Sequence, residues 1–276
     1  MASHSPSRKN SATGPRTPGY KQPEPGIIRM TAPAVTFSDV SFAWPRQGTE
    51  PVTPLLSRFR LTVHAAQVTA VIGPSGSGKS TLLKLAAGLL TPTAGAIEAG
   101  SDAPGQRAYV FQSPTLLPWR TVADNVALPL DIATPTEDRT TRVRAALERV
   151  ELLHAADKLP HELSGGMQMR ASLARALVTQ PSLLLLDEPF SSLDAATRRR
   201  VQQVFIRAWT DARATVLMVT HDIDEAVLLA DRVIAVGGQP LGVRADIAIP
   251  LPKPRTPTLR HAPELGALVR TIEAAL

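Results

Sequence analysis

The segment "VTAVIGPSGSGKSTLLKLAAGLL", Val68 to Leu90, decides the fold of this chain. Its first five residues are mostly β-branched and end at a glycine, which predicts a short strand buried on both faces. A glycine-rich loop follows, and the apolar residues after the loop predict a buried helix. Short apolar strands that alternate with helices are typical of an α/β layer with parallel strand pairing. The segment therefore predicts an α/β fold built around this loop.

The loop fits the pattern G-x-x-x-x-G-K-[ST], which cradles nucleotide phosphates when a strand precedes it and a helix follows. Its glycines let backbone N–H groups approach a phosphate without a Cβ in the way. Lys79 can reach the β and γ phosphates, and Ser80 can offer its hydroxyl to Mg²⁺. The pattern predicts a nucleotide site formed by Gly73, Pro74, Ser75, Gly76, Ser77, Gly78, Lys79, Ser80 and Thr81.

A second segment, "LLLLDEP" from Leu183 to Pro189, completes the expected chemistry. Four leucines predict a strand buried on both faces, so that Asp187 and Glu188 emerge at its carboxyl end, where open α/β sheets bind ligands. Asp187 can orient Mg²⁺ through a bound water, and Glu188 can act as general base for an attacking water. Simple solvation also explains an acidic pair after a strand, but the phosphate loop favours catalysis.

The composition indicates a chain with a full core, because 43% of its 276 residues are hydrophobic, although only 4% are aromatic. These values favour one large domain, or a domain with a subdomain. No apolar run approaches the roughly 18 residues that span a bilayer, and we expect no secretory signal. The lack of cysteine excludes disulfides and thiol chemistry. A net charge of +6 fits either an anionic partner or an arginine-rich chain with a basic tail.

Residues 1–33 form a basic, proline-rich tail that we expect to be disordered, because it holds too little apolar area to offset its ordering entropy. From Ala34, "AVTFSDVSFAW" alternates as a half-buried strand does, with Val40, Phe42 and Trp44 predicted on one face. "PLLSRFRLTVHA" predicts a second strand, and further buried strands are predicted at "SLLLLDE", "ATVLMVTHD" and "RVIAV".

A block from about residue 113 to 178 lies largely between the two nucleotide motifs and is predicted to be helical. It contains a capping box from Thr134 to Glu137, with Pro135 at the first helical position. An apolar stripe follows, formed by Val143, Leu147, Val150 and Leu153.

The segment "LSGGM", Leu163 to Met167, resembles the signature loop of the ATP-binding cassette ATPases, and it lies between the nucleotide motifs as in that family. The resemblance extends over about residues 35–240 and includes further motifs in the family's order. "VFQSP" matches the Q-loop, "SSLD" the D-loop and "VTHD" the switch histidine, and one tryptophan matches the aromatic residue that stacks on adenine. The residues at these positions are Gln112, Asp194, His221 and Trp44.

The resemblance implies a P-loop NTPase (RecA-like) core with an antiparallel β subdomain and an inserted α-helical subdomain. The ATPase domain would span residues 34–240, with the helical subdomain at about 113–178 and a C-terminal extension at 241–276. ATP and Mg²⁺ are the implied cofactors. Mg²⁺ would lie at Ser80, Gln112 and Asp187, and catalysis would depend on Glu188, His221 and Gln112.

Cassettes of this family pair head to tail, so that the signature loop of one covers the ATP on the phosphate loop of the other. Ser164, Gly165 and Gly166 would then contact the γ-phosphate of a partner's nucleotide, which accounts for a second glycine-rich helix start without a lysine. A homodimer would make both composite sites identical. The sequence leaves open whether the partner cassette is a second copy or a paralogue.

Several of these residues also have simpler interpretations. Trp44 could end a strand packed on the core, Gln112 could be a polar strand end, and His221 could be a surface cap. Their order among the other motifs favours functional roles. The chain departs from the family just after the signature, where Gln168 and Met169 stand in place of an Arg-Gln pair, so we expect this helix to make different contacts.

The segments "LLPWRTVADNVALPL" (Leu116 to Leu130), "THDIDEAVLLADRV" and "LPKPR" are similar to those of importers of nitrate, aliphatic sulfonates and taurine, whereas "GGQPLGVRADI" departs from that group. The similarity implies an ATPase subunit bound peripherally at the cytoplasmic face of the inner membrane. Its partners would be a separate permease and, indirectly, a solute-binding protein. The solute would be a small anion, and a different small organic solute stays the alternative.

Other classes of cassette protein fit less well. The segment from Gln112 to Ser164 is too short for the coiled coil of cassette ATPases that act on DNA, so we expect no nucleic acid partner. Translation factors of the family usually carry two cassettes on one chain. Glu188 and His221 disfavour a non-catalytic regulator, and a soluble ATPase not coupled to transport stays an alternative. The C-terminal segment is either regulatory or a packed tail.

Overall fold

The structure, a computed structural model, describes residues 1, 33–45, 53–100, 103, 105–133, 138–212, 214–253, 255 and 263–276. The N-terminal tail apart from Met1 and Pro33, and the capping box from Thr134 to Glu137, lie outside the described residues. Nine strands and seven α-helices form within the described ranges.

The central sheet has six strands with the bounds β3 Val68–Ile72, β5 Arg107–Val110, β6 Leu183–Asp187, β7 Thr215–Thr220, β8 Arg232–Gly237 and β9 Gly242–Ala248. Their order is β5-β6-β7-β3-β8-β9. All neighbours are parallel except β9, which pairs antiparallel with β8 at the edge. The predicted parallel α/β layer is confirmed. The carboxyl ends of β3, β6 and β7 consequently meet at one edge of the sheet.

The leucines of β6 alternate between two cores. Leu184 and Leu186 pack with residues of the helices, whereas Leu183 and Leu185 pack with residues of the N-terminal strands. All five residues of β6 are buried. The prediction of a strand buried on both faces is therefore confirmed.

A smaller antiparallel sheet is formed by β1 Pro33–Phe42, β2 Leu56–His64 and β4 Ala94–Glu98, in the order β2-β1-β4. This confirms the two predicted strands and the antiparallel subdomain. In β1, Asp39 has a φ of 50° and the register shifts between Phe37 and Val40. Val40 and Phe42 are buried as predicted, but the strand ends at Phe42 and Trp44 is 47% exposed beyond it. The prediction that Trp44 belongs to this strand is wrong.

The helices are α1 Lys79–Ala86, α2 Val122–Ala133, α3 Arg139–Arg149, α4 Gly165–Leu177, α5 Ala195–Ala212, α6 Ile223–Leu229 and α7 Pro263–Glu273. The predicted helix over "LLKLAAGLL" is correct only in its first half. Gly88 takes a φ of 75°, a left-handed conformation that suits glycine and turns the chain away. Leu89, just beyond it, is 59% exposed.

Helices α2, α3 and α4 follow β5 and precede β6 along the chain, and they pack on one another. Val143, Leu147 and Val150 of the predicted stripe are buried. The stripe does not continue as one helix to Leu153, because α3 ends at Arg149 and Leu153 lies half-buried in a short 3₁₀ turn. Among the described helices, none combines the length and the apolar character that crossing a bilayer requires.

Candidate active site

Residues 73–78 carry the chain from β3 into α1. Gly78 has a φ of 106°, which L side chains rarely adopt, and a Cβ there would lie 2.8 Å from the Leu55 side chain. A Cβ at Gly73 would lie 2.4 Å from the carbonyl oxygen of Val236. The shape of the loop therefore depends on glycine at both ends, besides any need for close approach to a phosphate.

Lys79 is buried at the start of α1. Its Nζ donates hydrogen bonds to the carbonyl oxygens of Gly73 at 2.9 Å and Pro74 at 2.8 Å. Burial lowers the pKa of Lys79, and the carboxylates of Glu188 and Asp187 oppose this effect. Carbonyl oxygens thus hold the ammonium group inside the loop. A phosphate group can replace them as its hydrogen-bond partners.

The start of α1 touches the end of β6. Ser80 Oγ donates to Asp187 Oδ1 at 2.7 Å, and the Tyr109 hydroxyl donates to Asp187 Oδ2 at 2.9 Å. Hydroxyl and carboxylate oxygens are the hard ligands that Mg²⁺ prefers, and Mg²⁺ usually takes few of them from the protein. The described residues contain no group of three or more His, Cys, Asp or Glu that could hold a metal alone. Ser80 and Asp187 therefore fit an Mg²⁺ that is shared with a nucleotide and water.

Glu188 and His221 lie in contact at the ends of β6 and β7. His221 Nδ1 is 2.9 Å from Glu188 Oε2, which is within hydrogen-bond distance. Glu188 has a φ of 44°, a strained conformation for a non-glycine residue of the kind found at functional sites. A carboxylate oriented by an imidazole can accept a proton from water.

Gln112 follows β5 and is held by the segment after Glu188. Its Nε2 donates to Ser191 Oγ at 3.2 Å, and Ser191 Oγ donates to the carbonyl oxygen of Glu188 at 2.9 Å. The structure thus brings the predicted metal residues Ser80 and Asp187 into direct contact, and ties Gln112 to the same region through Ser191.

The signature residues lie elsewhere, at the start of α4. Ser164 is the N-cap residue, and its side chain accepts a hydrogen bond from Met167 N at 3.4 Å. A Cβ on Gly166 would lie 2.3 Å from Thr197 Cγ2 of α5, whereas the nearest atom to a Cβ on Gly165 is 3.8 Å away. Helix α4 packs on α2, α3, α5 and β5, but α1 packs on β4, β6 and β7. The two glycine-rich helix starts therefore belong to different parts of the cassette.

Two further predicted residues are placed more simply. Asp194 Oδ1 accepts hydrogen bonds from Ala196 N and Thr197 N at the start of α5, and hydrogen bonding led by the Thr197 side chain lowers the pKa of Asp194. Trp44 packs edge-to-face on Phe42, with 5.2 Å between ring centroids. Its half-exposed ring leaves a face available for stacking.

Two residues that the sequence did not single out join these segments. Arg198 donates to the carbonyl oxygens of Phe190 and Leu193 and to the Asp222 carboxylate, so it links the segment after Glu188 to the segment after His221. Nothing in the run "RRR" indicates which arginine turns inward. Tyr109, which contacts Asp187, carries no motif of its own.

Gln168 and Met169, where the chain departs from the family after the signature, both fit their surroundings on α4. Met169 is fully buried in the core, so an apolar residue suits its position. Gln168 Nε2 donates to the carbonyl oxygen of Pro160 at 2.9 Å, and Arg170 donates to that of Glu151 at 3.0 Å. These bonds hold the loop before the signature and the end of α3 against α4.

Comparison with known sequences identifies the family of the chain. The chain matches the family model described as ABC transporter over residues 56–191. It is 49% identical to the aliphatic sulfonates import ATP-binding protein SsuB of Granulibacter bethesdensis, over 74% of this chain and 82% of that protein. It is 44% identical to the nitrate import ATP-binding protein NrtC of Synechococcus elongatus, over 71% of this chain and 31% of that longer protein.

Solved structures show the same fold. A dimeric ATP-binding cassette in a post-hydrolysis state, bound to ADP and Pi, has a TM-score of 0.67 and 29% identity over 78% of this chain and 98% of that one. CbiO1 of Clostridium perfringens, part of an ABC transporter complex, has a TM-score of 0.68 and 27% identity over 79% of this chain and 89% of that one. The chain belongs to the ABC transporter family, as one of its ATP-hydrolysing cassettes.

Proposed function

We propose that this chain is the ATPase subunit of an importer for a small anionic solute, bound to a separate permease at the cytoplasmic face of the inner membrane. The observation that carries the proposal is the convergence of Ser80, Asp187, Glu188 and His221 at one edge of the sheet. A cassette that only bound nucleotide would have no need for the last pair. The importer assignment is supported by the relatives that are named for the import of sulfonates and nitrate.

The nucleotide would lie along the loop from β3 to α1. Lys79 and the backbone N–H groups of residues 73–81 would hold the β and γ phosphates, and Trp44 would stack on adenine. Ser80 and Asp187 would hold Mg²⁺, and Gln112 would be a third residue at this site. The cation would neutralise charge on the phosphates.

Hydrolysis would depend on Glu188. Its carboxylate accepts a proton from the attacking water while the water oxygen bonds to the γ-phosphorus and the bond to the leaving ADP oxygen breaks. His221 holds Glu188 in place through the 2.9 Å contact. The strained backbone of Glu188 is compensated by its N–H bond to the carbonyl oxygen of Val219 at 3.0 Å.

A second cassette would complete each site. Ser164, Gly165 and Gly166 begin a helix whose positive end can hold an anion, but within one chain this end belongs to a different part of the cassette from the phosphate loop. A head-to-tail dimer brings them to the partner's γ-phosphate, with Asp194 at the contact. The dimeric state of a similar solved cassette supports this arrangement.

The permease would dock beside Gln112. A groove of about 500 Å³ opens there, with Phe111, Leu117 and Ile132 among its lining residues. Ile132 of this groove is 74% exposed, and Trp119, in the segment between Gln112 and α2, is 73% exposed. A short helix of the permease could bury them, and its movement would reach the active site through Gln112 and Ser191.

Growth of a deletion strain tests the importer assignment. With taurine, an alkanesulfonate or nitrate as sole sulfur or nitrogen source, we expect failure on one of them, rescued by the wild-type gene and not by Glu188→Gln. The matched control is Glu148→Gln, an exposed carboxylate on α3 that pairs with Arg144 and should rescue fully. Normal growth of the deletion strain on all three would overturn the proposal that the transported solute is a small anion of this kind.

A purified Glu188→Gln variant tests the dimer independently. Because it should bind ATP and fail to hydrolyse it, we expect it to elute as a dimer with ATP and as a monomer without nucleotide. A variant that binds ATP and still elutes as a monomer at high ATP concentration would contradict the head-to-tail pairing.

A further inference from the structure

Tyr109 has a geometry that packing alone does not require. It lies on β5 opposite Leu185 of β6, two residues before Asp187 on that neighbouring strand. Because a strand advances about 3.3 Å per residue, Asp187 is about two such steps further along, within reach of a tyrosine side chain. The phenol spans this distance and donates to Asp187 Oδ2 at 2.9 Å.

The two oxygens of Asp187 are thus held by different elements. Ser80 on α1 donates to Oδ1 at 2.7 Å, and Tyr109 on β5 donates to Oδ2. The carboxylate cannot rotate without breaking one of these bonds. Each oxygen retains a further lone pair, since a carboxylate can accept about four hydrogen bonds. The orientation is therefore fixed while the carboxylate stays able to accept from a metal-bound water.

The phenol of Tyr109 is a donor in this position. Its hydroxyl group donates one hydrogen bond, and Asp187 Oδ2 accepts that bond at 2.9 Å. The aromatic ring packs on Phe111, with ring centroids 4.4 Å apart. A phenylalanine would serve that packing equally well, so the hydroxyl is the part of the residue that packing leaves unexplained.

We propose that Tyr109 is a positioning residue that orients Asp187 for Mg²⁺. The inference rests on the proposed Mg²⁺ site at Ser80 and Asp187, and it adds to that site a residue outside the metal's own ligands. Removing such an outer hydrogen-bond partner typically weakens metal binding by about 10- to 100-fold.

The test is binding of Mn²⁺, an ion visible by electron paramagnetic resonance, to the full chain with saturating ATP. Tyr109→Phe should weaken Mn²⁺ binding by about tenfold, while ATP binding measured with EDTA stays as in the wild type. Trp209→Phe is the matched control, because it removes the 2.7 Å hydrogen bond to Ala214 at the opposite end of the sheet. It should lower thermal stability and leave Mn²⁺ binding unchanged.

Wild-type Mn²⁺ affinity in Tyr109→Phe would overturn the positioning role. So would an equal loss in Trp209→Phe, because the effect would then follow stability and not the Asp187 contact. Asp187→Asn separates this failure from that of the metal site. If Asp187→Asn weakens Mn²⁺ binding and Tyr109→Phe does not, only the role of Tyr109 is wrong; if neither does, the proposed metal site is wrong as well.

Discussion

Helices α1 and α4 both begin at a glycine-rich segment, yet their first turns are built differently. At α1 the N-cap is Gly78, in a left-handed conformation and with no side-chain hydrogen bond to the helix, and Lys79 follows at once. At α4 the N-cap is Ser164, in an extended conformation, and its hydroxyl accepts from Met167 N. The start of α1 thus has no side chain that competes with a ligand for its first N–H groups, whereas the start of α4 has one.

The difference predicts that the start of α1 binds an anion more strongly than the start of α4 does. The start of α1 combines uncapped N–H groups with a buried ammonium group, which suits a phosphate held throughout the catalytic cycle. The start of α4 has no basic residue in its first turn and a weak cap at 3.4 Å, which an anion could displace and release again. Similar glycine content therefore says little about affinity. The cap and the lysine decide it.

Replacing Lys79 should give the largest effect. Lys79→Ala should weaken ATP binding by about 10- to 100-fold, because hydrogen bonds to charged groups contribute roughly 1.5–3 kcal/mol. ATP hydrolysis should fall by about 10²- to 10³-fold, as when a preorganised donor is lost. Fluorescent-nucleotide titration and phosphate release measure the two quantities. Lys84→Ala, in the last turn of the same helix, is the control. It should change ATP binding and ATP hydrolysis by no more than about twofold. An equal loss in Lys84→Ala would contradict the role of Lys79 in phosphate binding.

A change at the signature should separate its two glycines. Gly166→Ala should lower the free energy of unfolding by about 1–3 kcal/mol, because its Cβ would overlap Thr197 Cγ2 at 2.3 Å. Gly165→Ala has no contact closer than 3.8 Å and should leave stability near the wild-type value. Denaturant unfolding measures both.

The rate of ATP hydrolysis should depend on Gly165, although stability does not. If Gly165 approaches the partner's phosphate, Gly165→Ala should reduce ATP hydrolysis although the chain stays stable. Thr197→Ser removes the overlapping methyl group and should restore stability to Gly166→Ala. Full hydrolysis by Gly165→Ala would show that this position needs no close approach.

The sheet and the phosphate loop were predictable because their signals are local. Four consecutive leucines followed by an acidic pair are consistent with a doubly buried strand, and glycines at both ends of residues 73–78 serve the loop's own shape. Trp44 was misplaced because β1 ends at Phe42, opposite the first residue of β2, and the alternation alone does not show where that pairing stops. Leu89 was misplaced because an apolar run does not show that Gly88 ends the helix.

The parts of the site that could not be predicted depend on contacts distant in sequence. Tyr109 acquires its partner only because β5 pairs with β6, far along the chain. Arg198 is one of three adjacent arginines, and only the packing of α5 against the segments after β6 and β7 selects it. By contrast, Ser80 and Asp187 were predictable as a pair, because each belongs to a motif whose strand context fixes the same edge of the sheet.

The cap of α4 should contribute less to stability than the contact of Gly166 with Thr197 requires. Ser164→Ala should cost about 0.5–1 kcal/mol of stability, at the low end for a lost N-cap because the present bond is long. In the Glu188→Gln background it should also abolish the ATP-dependent dimer, since the same hydroxyl would bind the partner's nucleotide. Thr121→Ala is the matched control, because Thr121 Oγ1 accepts from Asp124 N at 3.1 Å at the start of α2. We expect Thr121→Ala to lose as much stability or more and still to elute as a dimer on a sizing column. That result would show that the dimer is lost in Ser164→Ala through the nucleotide contact and not through the lost cap. A dimer that persists in Ser164→Ala would instead show that the α4 start contributes only to its own helix.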